Sequence, residues 1–96
     1  MIVSFSDDAT ADLYHGTNTH HVRRFPPPIK HLALRKLDVL NASDSLNDLR
    51  QPPGNRLEAL KGDLAGYYSI RVNDQWRVVF RCEGNDAHEV SLTDYH

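Results

Sequence analysis

The 96-residue chain has a single cysteine, Cys82, which excludes an internal disulfide. It also lacks CxxC and HxxxH pairs. His15, His20, His21, His31 and Cys82 invite a metal reading, but none of them falls at the close ligand spacing of a zinc site. No metal and no cofactor is expected. A glycine-rich phosphate loop and a GxSxG elbow are missing too, which argues against a P-loop nucleotide site and a serine hydrolase. There is no apolar run of membrane-spanning length and no leader-like start. The expected protein makes no membrane contact and works in the cytoplasm.

Positive charge is not in excess. The chain carries 11 Lys and Arg against 13 Asp and Glu, a formal charge of −2. What is there is segregation. All 11 basic residues lie between Arg23 and Arg81, a stretch with six acids and a net charge of +5. The other seven acids sit in the two ends. Local potential, not net charge, attracts a polyanion. A length of 96 residues fits one domain, expected over 1–96.

The order of elements follows from periodicity and punctuation. Ile2 to Phe5 reads as a short first strand. Ser6-Asp7-Asp8 offers a cap to a helix from about Asp7 to His15, ended by Gly16. Thr17 to Arg24 is polar and aperiodic, and is expected to be a mobile loop. After Pro26-Pro27-Pro28, the residues Ile29, Leu32, Ala33, Leu37 and Leu40 mark a helix over Ile29 to Asn41. Ser43 or Asp44 can cap a further turn through Leu49. A turn cluster, Gln51 to Asn55, opens a run of strands: Arg56 to Leu60, Tyr67 to Val72, Trp76 to Cys82, and His88 to about Asp94. The sequence predicts an α+β domain, with two N-terminal helices on one face of a small, twisted, mainly antiparallel sheet.

Alternation assigns the faces. Tyr68, Ile70, Val72, Trp76, Val78, Phe80 and Cys82 belong to the covered side. Arg71, Arg77 and Arg81 then point to the open side. Arginine's planar fork matches phosphate oxygens and stays protonated. The chain closes with Asp94-Tyr95-His96, a carboxylate, a phenol and an imidazole, groups able to move protons. The carboxylate at the end of the chain favours a protonated His96, suited to a general acid. RNA cleavage by its own 2′-hydroxyl needs a base, an acid and cations beside the phosphate. By parity Tyr95 faces the open side, whereas Asp94 and His96 join the arginines only where the core ends or the chain curls. Each residue also has a plain alternative: a solvated terminus, a turn carboxylate, a surface ion pair.

The motifs Pro52-Pro53-Gly54-Asn55-Arg56-Leu57 and Leu60-Lys61-Gly62-Asp63, the hairpin Gly66 to Arg77 and the closing Asp94-Tyr95-His96 resemble HigB-type killer proteins of the RelE/ParE toxin superfamily. The likeness spans nearly the whole chain. The first 45 residues contribute mainly helix layout. It implies a RelE-like fold and the toxin of a type II toxin–antitoxin pair. It also implies an endoribonuclease that cuts mRNA in the ribosomal decoding site. The implied partners are the ribosome, mRNA and a HigA-like helix-turn-helix antitoxin, with operator DNA met only through the antitoxin complex. The implied catalytic residues are Lys61, Arg71, Arg77, Asp94, Tyr95 and His96, with Arg77 on the phosphate. The general base stays open among Lys61, Asp94, Tyr95 and His96. Two departures are Glu58, where some members carry His, and Asn73, where some carry Arg. The alternatives are a ParE-like gyrase poison without nuclease activity, and a weak toxin acting mainly as an antitoxin-bound corepressor.

Overall fold

The computed structural model describes residues 1–51 and 53–94, without the side chain of Pro53. Helix α1, Asp8–His15, begins where Asp7 accepts the Thr10 amide at 2.7 Å and stops at Gly16, whose φ of 74° lets the chain turn left-handed. The next segment departs from the expected mobile loop. It is irregular to His21, but Val22–Arg24 form a 3-10 turn, and Val22 and Phe25 enter the core. Two apolar anchors hold what composition alone describes as polar loop.

Helix α2, Pro27–Ala42, starts earlier than expected, with Pro27 and Pro28 filling positions whose amides have no helical partner. Ile29, Ala33, Leu37 and Leu40 are buried. Leu32 is not: it stands on the flank of the stripe, 38% exposed, and Leu34 packs against the core in its place. A third helix, α3, Leu46–Arg50, is the short turn expected after Asp44 and buries Leu49.

The strands are β1, Glu58–Ala59, β2, Tyr67–Arg71, β3, Trp76–Glu83, and β4, Asp86–Asp94. They form an antiparallel sheet in chain order. The chain's start runs parallel to β4 as a broken fifth strand, bridging Ile2 to Ala87 and Phe5 to Val90. Its ladder is interrupted because β4 carries a bulge. Val79 faces Ser91 while Arg81 faces His88, so Glu89 and Val90 share one partner position at Phe80. Thr10, fully buried on α1, accepts the Leu92 amide at 3.0 Å and so satisfies the outer edge of β4 where the fifth strand has ended.

Helices cover the face that presents Ile70, Val78, Phe80, Val90 and Leu92. Each such side chain removed from water stabilises the fold by about 1.5–3 kcal/mol. The α+β expectation holds: the α-helices bury their apolar residues against this one face, and the 3-10 turn Gly62–Leu64 brings Leu64 beside Val79 on the other.

Candidate nucleic-acid site

The hairpin between β2 and β3 places two arginines side by side. Arg71 ends β2 and Arg77 begins β3, and they are direct cross-strand partners. The turn that sets this register is built by Asn73, whose Oδ1 accepts the amides of Gln75 at 2.9 Å and Trp76 at 2.8 Å. The departure from the arginine-bearing form of the hairpin therefore has a structural use.

The Arg71 guanidinium donates to Asp74, whose carboxyl is held below its ordinary value mainly by that bond. The Arg77 side chain is only 14% exposed, with Nη1 at 4.0 Å from Glu58 Oε1. Glu58, the second departure, thus stands beside the arginine that the sequence reading assigns to phosphate. On the other side of Arg77, its cross-strand partner on β4 is Thr93. Arg56 and Arg77 also act on Asp74, and Arg35 and Arg71 act on Lys36. Arg71 and Arg77 thus stand at the turn end of the hairpin, with Asp74 and Glu58 beside them.

Lys36 and Arg56 were not among the residues expected from sequence. Asn55 explains their position. Fully buried, it donates to the Leu49 carbonyl at 3.2 Å and accepts from Lys36 Nζ at 2.5 Å. Burial, then the charges of Arg35 and Arg71, hold the Lys36 ammonium below its usual value. Arg56 follows directly, with a left-handed φ of 44°. The signal in the sequence was the Pro-Gly-Asn-Arg cluster, which reads as a turn and conceals a buried asparagine.

The other expected residues are distributed as follows. Asp94 ends β4 opposite Trp76, exposed, and accepts Gln75 Nε2 at 3.1 Å. It has the covered-face parity expected of it, but Leu92 is the last buried residue of the strand. Asp94 therefore emerges at the sheet corner, tied to the same turn that carries Asp74. Lys61 is exposed just beyond β1, at the start of the 3-10 turn Gly62–Leu64, and no hydrogen bond or ion pair among the described residues joins it to the arginines. Tyr95 and His96 lie outside the described residues. Arg81, on the open face as expected, is held by Glu83 and by Glu89, with Nε at 3.0 Å from Glu89 Oε2. These bonds push its basicity up and occupy the guanidinium, which leaves it less suited to a ligand.

Among the described residues no cluster of His, Cys, Asp and Glu could hold a metal ion. The arrangement offers a largely buried arginine, a second arginine whose carboxylate partner is on an exposed turn, and hydroxyls on the adjoining strand. It can bind a phosphodiester and stabilise charge developing on it.

Comparison with known proteins places the chain in a family. The model of a RelE-like toxin of the type II toxin–antitoxin system HigB matches residues 3–96. Toxin HigB-1 of Vibrio cholerae is 42% identical over 84% of this chain and 83% of its own length. Endoribonuclease HigB of Proteus vulgaris is 44% identical over 64% of this chain and 65% of its own. Among solved structures, YoeB in its complex with YefM from Staphylococcus aureus covers 100% of this chain and 98% of its own with a TM-score of 0.62 at 20% identity. A mutant of YafQ from E. coli covers 98% of this chain and 91% of its own with a TM-score of 0.64 at 14% identity. The last two speak for the fold alone, whereas the family match and the 42% relative speak for descent. The chain belongs to the HigB family of RelE-like toxins of type II toxin–antitoxin systems.

Proposed function

We propose that this toxin is an endoribonuclease that cuts mRNA on the translating ribosome, using the RNA's own 2′-hydroxyl as nucleophile. The observation that carries the reading is the opposed pair Arg71 and Arg77, on the sheet face opposite the α-helices, at the end where β4 runs into the terminal residues. The name of the Proteus vulgaris relative, an endoribonuclease, supports it.

In this mechanism a base removes the 2′-hydroxyl proton, the oxygen attacks phosphorus, and the 5′-oxygen leaves with a proton from an acid. The products are a 2′,3′-cyclic phosphate and a 5′-hydroxyl. Arg77 stabilises the charge on the phosphorane, and Arg71 joins it by exchanging Asp74 for a phosphate oxygen. Lys61, Asp94, Tyr95 and His96 share the proton transfers, with His96 as acid. Glu58, beside Arg77, adds a carboxylate to the candidate bases. The antitoxin partner is a HigA-like helix-turn-helix protein, and the pair meets operator DNA through it. The site of action is the cytoplasm, where ribosomes are.

Mapping mRNA 5′ ends after brief induction tests this. The parent should produce cuts in translated messages, and Arg77→Ala and His96→Ala should not. Growth arrest with intact messages would overturn the reading in favour of a gyrase-directed or other target.

A further inference from the structure

The open face holds a feature the arginine pair does not account for. Val79 lies between Arg77 and Arg81 on β3, and points to the same side, yet it is apolar and almost buried. Its cross-strand neighbours are small, Ser69 on β2 and Ser91 on β4. A hollow of about 280 Å³ opens above it, walled by Leu64 and Tyr67 and rimmed by Glu89, Ser91 and Thr93. Leu64, at the end of the Gly62–Leu64 turn, is 43% exposed although it borders this apolar floor.

The rim is built at a cost. Glu89, the bulge residue, has φ 53°, a left-handed conformation that strains any side chain but glycine's. Three partners fix it there. Ser4 Oγ accepts its amide at 2.9 Å, Tyr67 Oη donates to Oε2 at 2.6 Å, and Arg81 Nε donates to the same oxygen at 3.0 Å. Both side-chain bonds use Oε2, so among the described residues Oε1 is left to accept from a ligand. The same bonds hold the tyrosine ring at the wall.

Thr93 joins the two regions, as it is opposite Arg77 and also on the rim of the hollow. Val79 is two residues from Arg77, about 6.6 Å along a strand, a span that one nucleotide covers from phosphate to base. We propose that this hollow is a nucleobase subsite, in which a base stacks on Tyr67 over Val79 and Leu64 and offers an amino group to Glu89, while its phosphate lies on Arg77. A carboxylate accepts from exocyclic amines such as that of cytosine, and an aromatic wall suits any base, so the subsite biases where the RNA is cut. The inference rests on the reading of the arginine pair as a phosphate site.

The test is an NMR titration of the full-length toxin with a 2′-O-methyl trinucleotide, which binds and cannot be cut. The Leu64 and Val79 methyl resonances should shift on binding. Tyr67→Ala should weaken affinity by about tenfold, and Tyr67→Phe, which keeps the ring and loses the bond to Glu89, should bind nearly as the parent does. Leu64→Glu, at a half-exposed position, should also weaken binding. Static Leu64 and Val79 methyls alongside shifting Arg71 and Arg77 side chains would overturn the subsite and leave the phosphate site standing. Parental affinity in both Tyr67→Ala and Leu64→Glu would overturn it as well. Methyl shifts that persist unchanged in Arg77→Ala would keep the hollow as a base site and remove Arg77 from phosphate binding.

Discussion

Arg77 is the residue on which most of the proposed chemistry converges. It is largely buried, faces Arg71 across one strand pair and Thr93 across the other, and stands within ion-pair reach of Glu58. A guanidinium fixed this way needs no reorganisation when negative charge develops on a phosphate. Arg77→Ala should lower the rate of RNA cleavage on ribosomes by about 10²–10³, the usual loss for one preorganised donor. Arg77→Lys should recover only part, because a point charge replaces a fork. Single-turnover kinetics at saturating ribosome would read this, and parental rates in Arg77→Ala would remove it from the mechanism. Asn55 is the contrasting case, structural although it sits in the motif. Asn55→Ala strips an acceptor from Lys36 and a donor from the Leu49 carbonyl, and should destabilise the fold by about 1–3 kcal/mol in urea unfolding. An unchanged midpoint would show that solvent replaces both bonds. Arg71 and Arg77 were legible from strand alternation alone, because a period of two fixes their side. Lys36, Arg56 and Asn55 were not. Their grouping depends on a bond across 19 residues, from α2 to a turn, that no local pattern announces.

Elements show the same division. The long helix, the hairpin and the last strand were legible because apolar periodicity and turn residues mark each one locally. The bulge in β4 was not. Glu89 is a residue type that rarely adopts left-handed φ, and what holds it comes from Ser4 and Tyr67, 85 and 22 residues away in sequence. Its consequence is that Ala87 and Val90 both face the core while His88 and Glu89 turn outward, whereas strict alternation from Val90 and Leu92 would turn His88 inward. The bulge also has a signature in pH. Bonds from Tyr67, then from Arg81, hold the Glu89 carboxyl below its ordinary value of 4.5. A depressed carboxyl contributes stability that is present above about 4.5 and is lost as pH falls through the lower folded value. Glu89→Gln should therefore be less stable than the parent at about pH 7 and lose less on acidification from about pH 5 to pH 3. Asp74 and Glu83 are depressed as well, so a residual acid slope should remain in the variant. Urea midpoints across that range measure it, and parallel curves for the two proteins would show that Glu89 gains nothing from its partners.

On the scale of the whole molecule, a net charge of −2 coexists with a basic hairpin end. The acids are not neutralising that end from a distance. Those outside the basic stretch are largely engaged where they stand: Asp7 caps α1, Asp12 accepts Thr19 Oγ1 at 2.7 Å, and Glu83 and Glu89 flank Arg81. Exposed charges more than about 8 Å apart are screened at physiological salt, so a ligand at the hairpin meets the local cations and little of the rest. Binding should then behave as a short polyanion contact. If Arg71 and Arg77 each displace one counterion from a single-stranded ligand, the logarithm of affinity for the trinucleotide should fall with the logarithm of salt concentration at a slope of about −1.4. Arg77→Ala should halve that slope. Tyr67→Ala should weaken binding at every salt concentration without changing the slope, because stacking and apolar contact release no counterions. Titrations between about 50 and 300 mM salt, a range over which the Debye length more than halves, separate the two contributions. A slope near zero in the parent would mean that the arginines do not meet phosphate. A slope that changes equally in both variants would mean that the hollow and the arginine pair act as one electrostatic site and not as two chemically distinct ones.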